Sequence, residues 1–316
     1  MPALLDPALI ARLKPLELRA RGVVEGFLTG LHRSPYHGFS AEFAEHRAYN
    51  PGDELRHLDW KVLAKTDRPY VKRFEEETNL RALLVLDTSA SMRYAGSAPM
   101  TKLDYGATLA AAFATILLRQ RDAVGLAAFD SGVHTVIAPR SSSAHLRPII
   151  AALEAACAAD PPPTRTAAAA ALAEVAERLT RRSLVVVMSD LYETATSGAS
   201  SGEGADSGED ALLGALRRLR HRGHEVLVFR LLDRATERLL DLPGDRPLTL
   251  IDRETGERVT LTPAHARDAY AAATAEASER LRRGCLEHGI AYEELDTAAP
   301  LDEALVRFLA ARRRAG

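Results

Sequence analysis

The stretch Arg81-Ala82-Leu83-Leu84-Val85-Leu86-Asp87-Thr88-Ser89-Ala90-Ser91 is where the fold is read. Its apolar residues run unbroken from Ala82 to Leu86 and stop at an acid. A run this short, with β-branched and leucine side chains and no polar alternation, marks a strand covered on both faces. Leu184 to Met188 is a second such buried run, and residues 123–129, 225–232 and 290–295 also read as strands. Amphipathic, helix-spaced segments lie around them at 102–121, 146–158, 166–180, 212–222, 263–288 and 301–313. Residues 133–138 read as a strand returning beside 123–129. Buried strands alternating with helices predict an α/β fold, a doubly wound and mostly parallel sheet with helices on both faces. The strand ending at Asp87 is expected at the centre and next to the strand ending at Asp190. The strand from Val133 is expected as an antiparallel edge. Sheets of this kind bind ligands beyond the carboxyl ends of their strands.

Upstream the character of the chain differs. Residues 7–31 carry Leu9, Leu13, Leu16, Val23, Phe27 and Leu31 near helical spacing, and 42–49 read as a strand. Asn50-Pro51-Gly52-Asp53 is a turn by its chemistry, with proline fixing φ. This divides the chain into an N-terminal helical and irregular β segment, 1–78, packing on an α/β domain, 79–316. Within that domain, 194–209 is rich in Gly, Ser and Ala and reads as a flexible surface loop. Residues 246–261 read as a hairpin inserted across Glu254-Thr255-Gly256-Glu257.

Composition narrows the function classes. The 316 residues are 47% hydrophobic and 27% charged, with a net charge of -2. That balance offers no global attraction to nucleic acid or to an anionic membrane. The most apolar segment, 106–118, is too short to cross a bilayer and is bounded by charges. Acidic and basic residues interrupt the first 22 positions, so no signal peptide is read there. Cys157 and Cys285 lie far apart in no zinc or disulfide pattern. A reducing, cytoplasmic setting is the expectation.

The chemistry concentrates after the first buried strand. Asp87, Ser89 and Ser91 place one carboxylate and two hydroxyls on one strand-to-helix loop. Oxygen donors suit a hard cation such as Mg²⁺. Asp190 ends a neighbouring strand with a second carboxylate, and Thr166 offers a further hydroxyl, with Thr164 as its rival. An Asp or Ser capping a helix is the plainer reading of the first loop taken alone. His32, His37, His46 and His57 crowd one segment, but in no common zinc spacing. The basic helix end at Arg217, Arg218, Arg220, His221 and Arg222 is what a helix macrodipole favours.

Asp-x-Ser-x-Ser, a later Thr and an Asp ending the next core strand resemble the metal-ion-dependent adhesion site of von Willebrand factor A domains. The resemblance implies that Asp87, Ser89, Ser91, Thr166 and Asp190 hold one Mg²⁺ or Mn²⁺, directly or through water, with a partner's Asp or Glu completing the shell. A second motif, Arg47-x-Tyr49-x-Pro51-Gly52-Asp53-x-x-Arg56-x-x-Asp59-Trp60, is similar to the bacterial DUF58 family. Members of that family look like A-type domains and commonly pair with MoxR-type AAA+ ATPases. The resemblance therefore implies a metal-dependent protein-interaction module, partner or adaptor of such an ATPase in the assembly or maturation of client proteins, and not an enzyme. In that reading Arg47, Tyr49, Asp53, Arg56, Asp59 and Trp60 form a second partner-binding surface; a salt-bridged turn with an anchoring aromatic is the plainer account. The chain has no Gly-x-x-x-x-Gly-Lys phosphate loop, so an ATPase partner would do the work. The alternative is a Mg²⁺-dependent, phosphatase-like hydrolase with Asp87 as nucleophile. Ser89 stands where haloacid dehalogenase phosphatases need a second acid. A third possibility is a structural interaction protein with a vestigial metal site.

Overall fold

The computed structural model describes residues 15–31, 46–48, 70–72, 80–160, 165–192, 208–242, 246–301 and 304–306. Its centre is a six-stranded sheet built on β3 (Arg81–Asp87). The other strands are β4 (Ala123–Phe129), β5 (Val133–Arg140), β6 (Leu184–Ser189), β7 (Glu225–Leu232) and β10 (Ala291–Asp296), in the order β10-β7-β6-β3-β4-β5. β3 pairs in parallel with β4 and with β6, and only β5 runs antiparallel, at the edge. The chain leaves β3 for one side of the sheet and returns to the other side through β6. The strand order therefore reverses beside β3, at the carboxyl end where Asp87 sits.

The unbroken apolar runs follow from burial on both faces. In β3, Ala82, Leu84 and Leu86 face one apolar cluster, and Leu83 and Val85 face the other. β6 repeats this with Leu184, Val186 and Met188 against Val185 and Val187. The first cluster is covered by α1 (Leu16–Leu31), α2 (Lys102–Arg119) and α3 (Leu146–Ala158). The second is covered by α4 (Ala168–Arg178), α5 (Gly208–His221) and α6 (Pro263–Glu287). Burying one Leu or Val side chain contributes roughly 1.5–3 kcal/mol, so the two faces together supply the main driving force. β5 shows the strict alternation of a half-covered strand, in keeping with its edge position. Gly125 in β4 is required by close backbone approach: a Cβ there would stand 2.4 Å from the Ile137 carbonyl oxygen on β5.

α1 belongs to the same core. Leu16, Ala20, Val23 and Val24 are buried in the first cluster, and the Leu16 N–H donates to Glu154 on α3. Two short ladders stand apart from the main sheet. β1 (His46–Ala48) pairs antiparallel with β2 (Tyr70–Lys72), and β8 (Leu248–Ile251) pairs antiparallel with β9 (Arg258–Leu261).

Several boundaries differ from the sequence reading, three of them near the site or its helices. α4 begins at Ala168 and not at Thr166, because Ala167, with φ -114° and ψ 57°, lies outside the helical region. α5 begins at Gly208, inside the stretch read as loop, with Glu209 and Asp210 complementing the positive helix start. α2 stops at Arg119, and Arg121 adopts a positive φ of 62° just beyond it. Residues 193–207, Thr164, and Tyr49, Asp53, Arg56, Asp59 and Trp60 lie outside the described residues. Arg47 falls in β1. Among the described residues, no helix is long and apolar enough to cross a membrane.

Candidate metal centre

The centre begins where β3 runs out of apolar residues. Thr88 extends the β3–β4 contact by one step, its N–H and its hydroxyl both donating to the Phe129 carbonyl, at 2.8 and 2.9 Å. The chain then turns sharply. The Asp87 carboxylate accepts from the Ser89 N–H at 2.9 Å, the local turn that aspartate forms with its own backbone two residues on. The other Asp87 oxygen accepts from the Ser189 hydroxyl at 2.5 Å. A short 3₁₀ turn, Ser91–Arg93, follows and is pinned by the fully buried Met92. This brings the Ser89 and Ser91 hydroxyl oxygens within 3.0 Å of each other.

That spacing is a test of fit. Neighbouring oxygens around an octahedral Mg²⁺ at about 2.1 Å stand about 3 Å apart. The two hydroxyls match that edge, and their oxygen chemistry suits a hard cation. Asp87 is fully buried, and burial first, then the Asp190 charge, push its carboxyl up to about 7. The Ser89–Ser91 edge is compatible in spacing and chemistry with a hard divalent ion. Among the described residues, no group of three or more His, Cys, Asp or Glu side chains converges on a point, so the set depends on its hydroxyls.

The remaining two candidates are held by partners the sequence reading did not include. Asp190, at the end of β6, accepts from the Lys102 ammonium at 2.7 Å and from the Tyr192 N–H at 3.2 Å. Lys102 is itself only 1% exposed and also donates to Glu237 at 2.5 Å. It stands at the first position of α2, where the helix dipole opposes a cation. Burial lowers its basicity, but Asp190 and Glu237 outweigh both effects and hold it above the ordinary lysine value. For Glu237 burial dominates and raises the carboxyl, only partly offset by Lys102.

Thr166 stands beyond β4, where the Ala167 N–H donates to the Asp130 carbonyl. Its own N–H and hydroxyl both donate to Glu254, at 3.0 and 2.6 Å. Asp87, Ser89 and Ser91 therefore form one hydrogen-bonded unit. Asp190 is coupled to it electrostatically, and Thr166 is tied to the β8–β9 hairpin. Asp233, at the end of β7, fixes the next loop by accepting from the N–H groups of Ser97 and Ala98 at 2.7 and 3.0 Å.

Lys102, Ser189, Glu237 and Glu254 are the functional neighbours missed in the sequence. Lys102 carried a faint signal, a lysine opening the most apolar helix, where the dipole disfavours it. Glu254 had none, since an acid in a hairpin turn reads as solvated.

A family model described as "Protein of unknown function DUF58" matches residues 45–280. The chain belongs to the DUF58 family. Two relatives, the uncharacterized proteins Rv1480 of Mycobacterium tuberculosis and Mb1516 of Mycobacterium bovis, are each 30% identical over 313 residues, covering 98% of this chain and 91% of theirs. Among solved structures, the chain is similar to the conserved hypothetical protein BatB from Bacteroides thetaiotaomicron, with a TM-score of 0.45 and 15% identity over 74% of this chain and 99% of that one. It is also similar to the pilus adhesin SpaC from Lactobacillus rhamnosus GG, with a TM-score of 0.44 and 13% identity over 77% of this chain and 31% of that one.

Proposed function

We propose that this DUF58 chain is a metal-dependent protein-interaction module with a von Willebrand A-like fold, a partner or adaptor of a MoxR-type AAA+ ATPase in the assembly or maturation of client proteins. The observation that carries the metal part is the Ser89–Ser91 hydroxyl pair, 3.0 Å apart beside the buried Asp87 at the point where the strand order reverses. The choice of ATPase partner rests on the family resemblance.

Asp87 supplies charge and orients Ser89, while Ser89 and Ser91 supply neutral oxygens. Asp190 and Thr166 would complete the set, Asp190 while also accepting from Lys102 and the Tyr192 N–H. When bound, Mg²⁺ or Mn²⁺ would supply a Lewis-acidic point that attracts a carboxylate. Asp87, Asp190 and Glu237 against Lys102 leave two net negative charges, which one divalent ion neutralises. A neutral site still gains from an added acid, so a partner's Asp or Glu is the expected contact.

The hydrolase alternative has less support. Asp87 is fully buried, and each of its carboxylate oxygens already accepts a hydrogen bond, which leaves it poorly placed to attack a substrate.

The test is capture of the candidate AAA+ ATPase by the full chain with Mg²⁺, with EDTA, and with Asp190→Ala. Capture is expected in the first case and lost in the other two. Equal capture in all three moves the interface elsewhere and overturns the reading.

A further inference from the structure

The β8–β9 hairpin is an exposed element with one buried residue at its tip. Every residue from Ile251 to Thr260 is exposed or half-exposed except Glu254, which is 8% exposed. The tip is shaped to present that side chain. Asp252 accepts from the N–H groups of Glu254 and Thr255 at 2.7 and 3.1 Å, and Gly256 follows with a φ of +72° that glycine adopts without strain. Both Glu254 oxygens are used on one residue, Thr166, one by the N–H and one by the hydroxyl. A second contact fixes the tip across the loop that carries Ser91, where the Arg253 guanidinium donates to the Arg93 carbonyl at 3.4 Å.

Two parallel donors on one residue, meeting both oxygens of one carboxylate, form a recognition fork. A buried carboxylate needs such partners, because without them it loses its water with no replacement. Yet Glu254 does not serve the core. It is carried by an arm whose other tip residues face solvent.

We propose that the Thr166 N–H and hydroxyl form a carboxylate-recognition site at the edge of the candidate metal centre, and that Glu254 occupies it as the chain's own stand-in for a partner's Asp or Glu. The β8–β9 hairpin is then a displaceable cap, and an incoming acidic side chain must exchange with Glu254 to bind. This rests on the reading that a partner's carboxylate is the recognised group, but not on the metal, because the fork is made by Thr166 alone.

The experiment is an amide-resolved NMR titration of the full chain in EDTA, with N-acetyl-glutamate amide as a single-acid probe and the Thr166 N–H as the reporter. If Glu254 fills the fork about nine-tenths of the time, its removal raises apparent affinity about tenfold. Glu254→Ala should therefore shift the Thr166 signal at about tenfold lower probe concentration than the unaltered chain. Thr166→Val in the Glu254→Ala background should weaken the response, since the hydroxyl is gone and the N–H remains. Glu257→Gln, on the exposed side of the same hairpin, should behave like the unaltered chain. Should Glu254→Ala fail to fold, Glu254→Gln keeps the shape and should give a smaller shift in the same direction. A Thr166 signal that ignores the probe in the Glu254 variants, or a response unchanged by Thr166→Val, overturns the proposal and leaves Glu254 as a structural pin. The titration contains no metal, so a failure of the metal reading and a failure of the fork give different results.

Discussion

Replacing Lys102 by Met tests the electrostatics of the centre most sharply. The substitution keeps the length of the side chain and removes its charge. It strands Asp190, which is 4% exposed, and Glu237, whose side chain keeps 25% exposure, without their shared cation. Breaking a buried pair by removing one partner costs about 3–5 kcal/mol. Glu237 recovers part of this from water, so the low end, about 3 kcal/mol, is the expected loss. For a chain of this size that lowers the melting temperature by roughly 6 °C or more. The sign with pH follows from the raised ammonium. Its contribution is fully present below the unfolded value of 10.5 and is lost only as pH rises through the higher folded value. The loss in Lys102→Met should therefore not shrink between pH 7 and pH 9. Reversible urea denaturation at both pH values measures it. The same variant should gain more stability from Mg²⁺ than the unaltered chain, because a divalent ion then faces Asp190 with no resident competitor. A loss below about 1 kcal/mol, the range of an exposed ion pair, would refute the argument that this triad is buried and coupled.

Three further outcomes follow. Because burial and then Asp190 push the Asp87 carboxyl up to about 7 from an unfolded 3.8, the folded chain in EDTA should lose stability as pH rises from about 4 to about 7. Asp87→Asn should flatten that slope in denaturation measurements, and an unchanged slope counts against the assignment. Thr166→Ala should weaken Mg²⁺ binding in calorimetric titration more than Thr164→Ala does; the reverse order moves the ligand to Thr164. Gly125→Ala should destabilise the chain by about 1–3 kcal/mol through overpacking against the β5 backbone, and a neutral result in urea melts would show that β4 and β5 separate freely.

The central strands were legible because burial on both faces leaves a pattern that needs no partner to interpret. Ala82–Leu86 and Leu184–Met188 are apolar at every position, since successive side chains enter two different cores. The first half of the site was legible for a related reason: Asp87, Ser89 and Ser91 sit within five residues, and local turn chemistry brings them together. What was not legible joins residues far apart in the chain. Lys102 meets Asp190 across 88 positions, and Thr166 meets Glu254 across another 88. Only the apolar helix it opens hints that Lys102 is buried, and nothing local marks a turn glutamate as an anchor. The start of α4 was misplaced because an alanine-rich run does not mark that Ala167 leaves the helical region.

Counting bound Mn²⁺ by electron paramagnetic resonance, on the unaltered chain and on Asp87→Ala, addresses the central claim most directly. Asp87→Ala removes a carboxylate from the carboxyl end of β3, not an apolar side chain from either core cluster, so circular dichroism should show a folded chain in both cases. The account predicts one tightly held Mn²⁺ per unaltered chain, displaced by excess Mg²⁺, and none in Asp87→Ala. An unaltered chain that holds no Mn²⁺, or an Asp87→Ala chain that holds it equally well, would contradict the account.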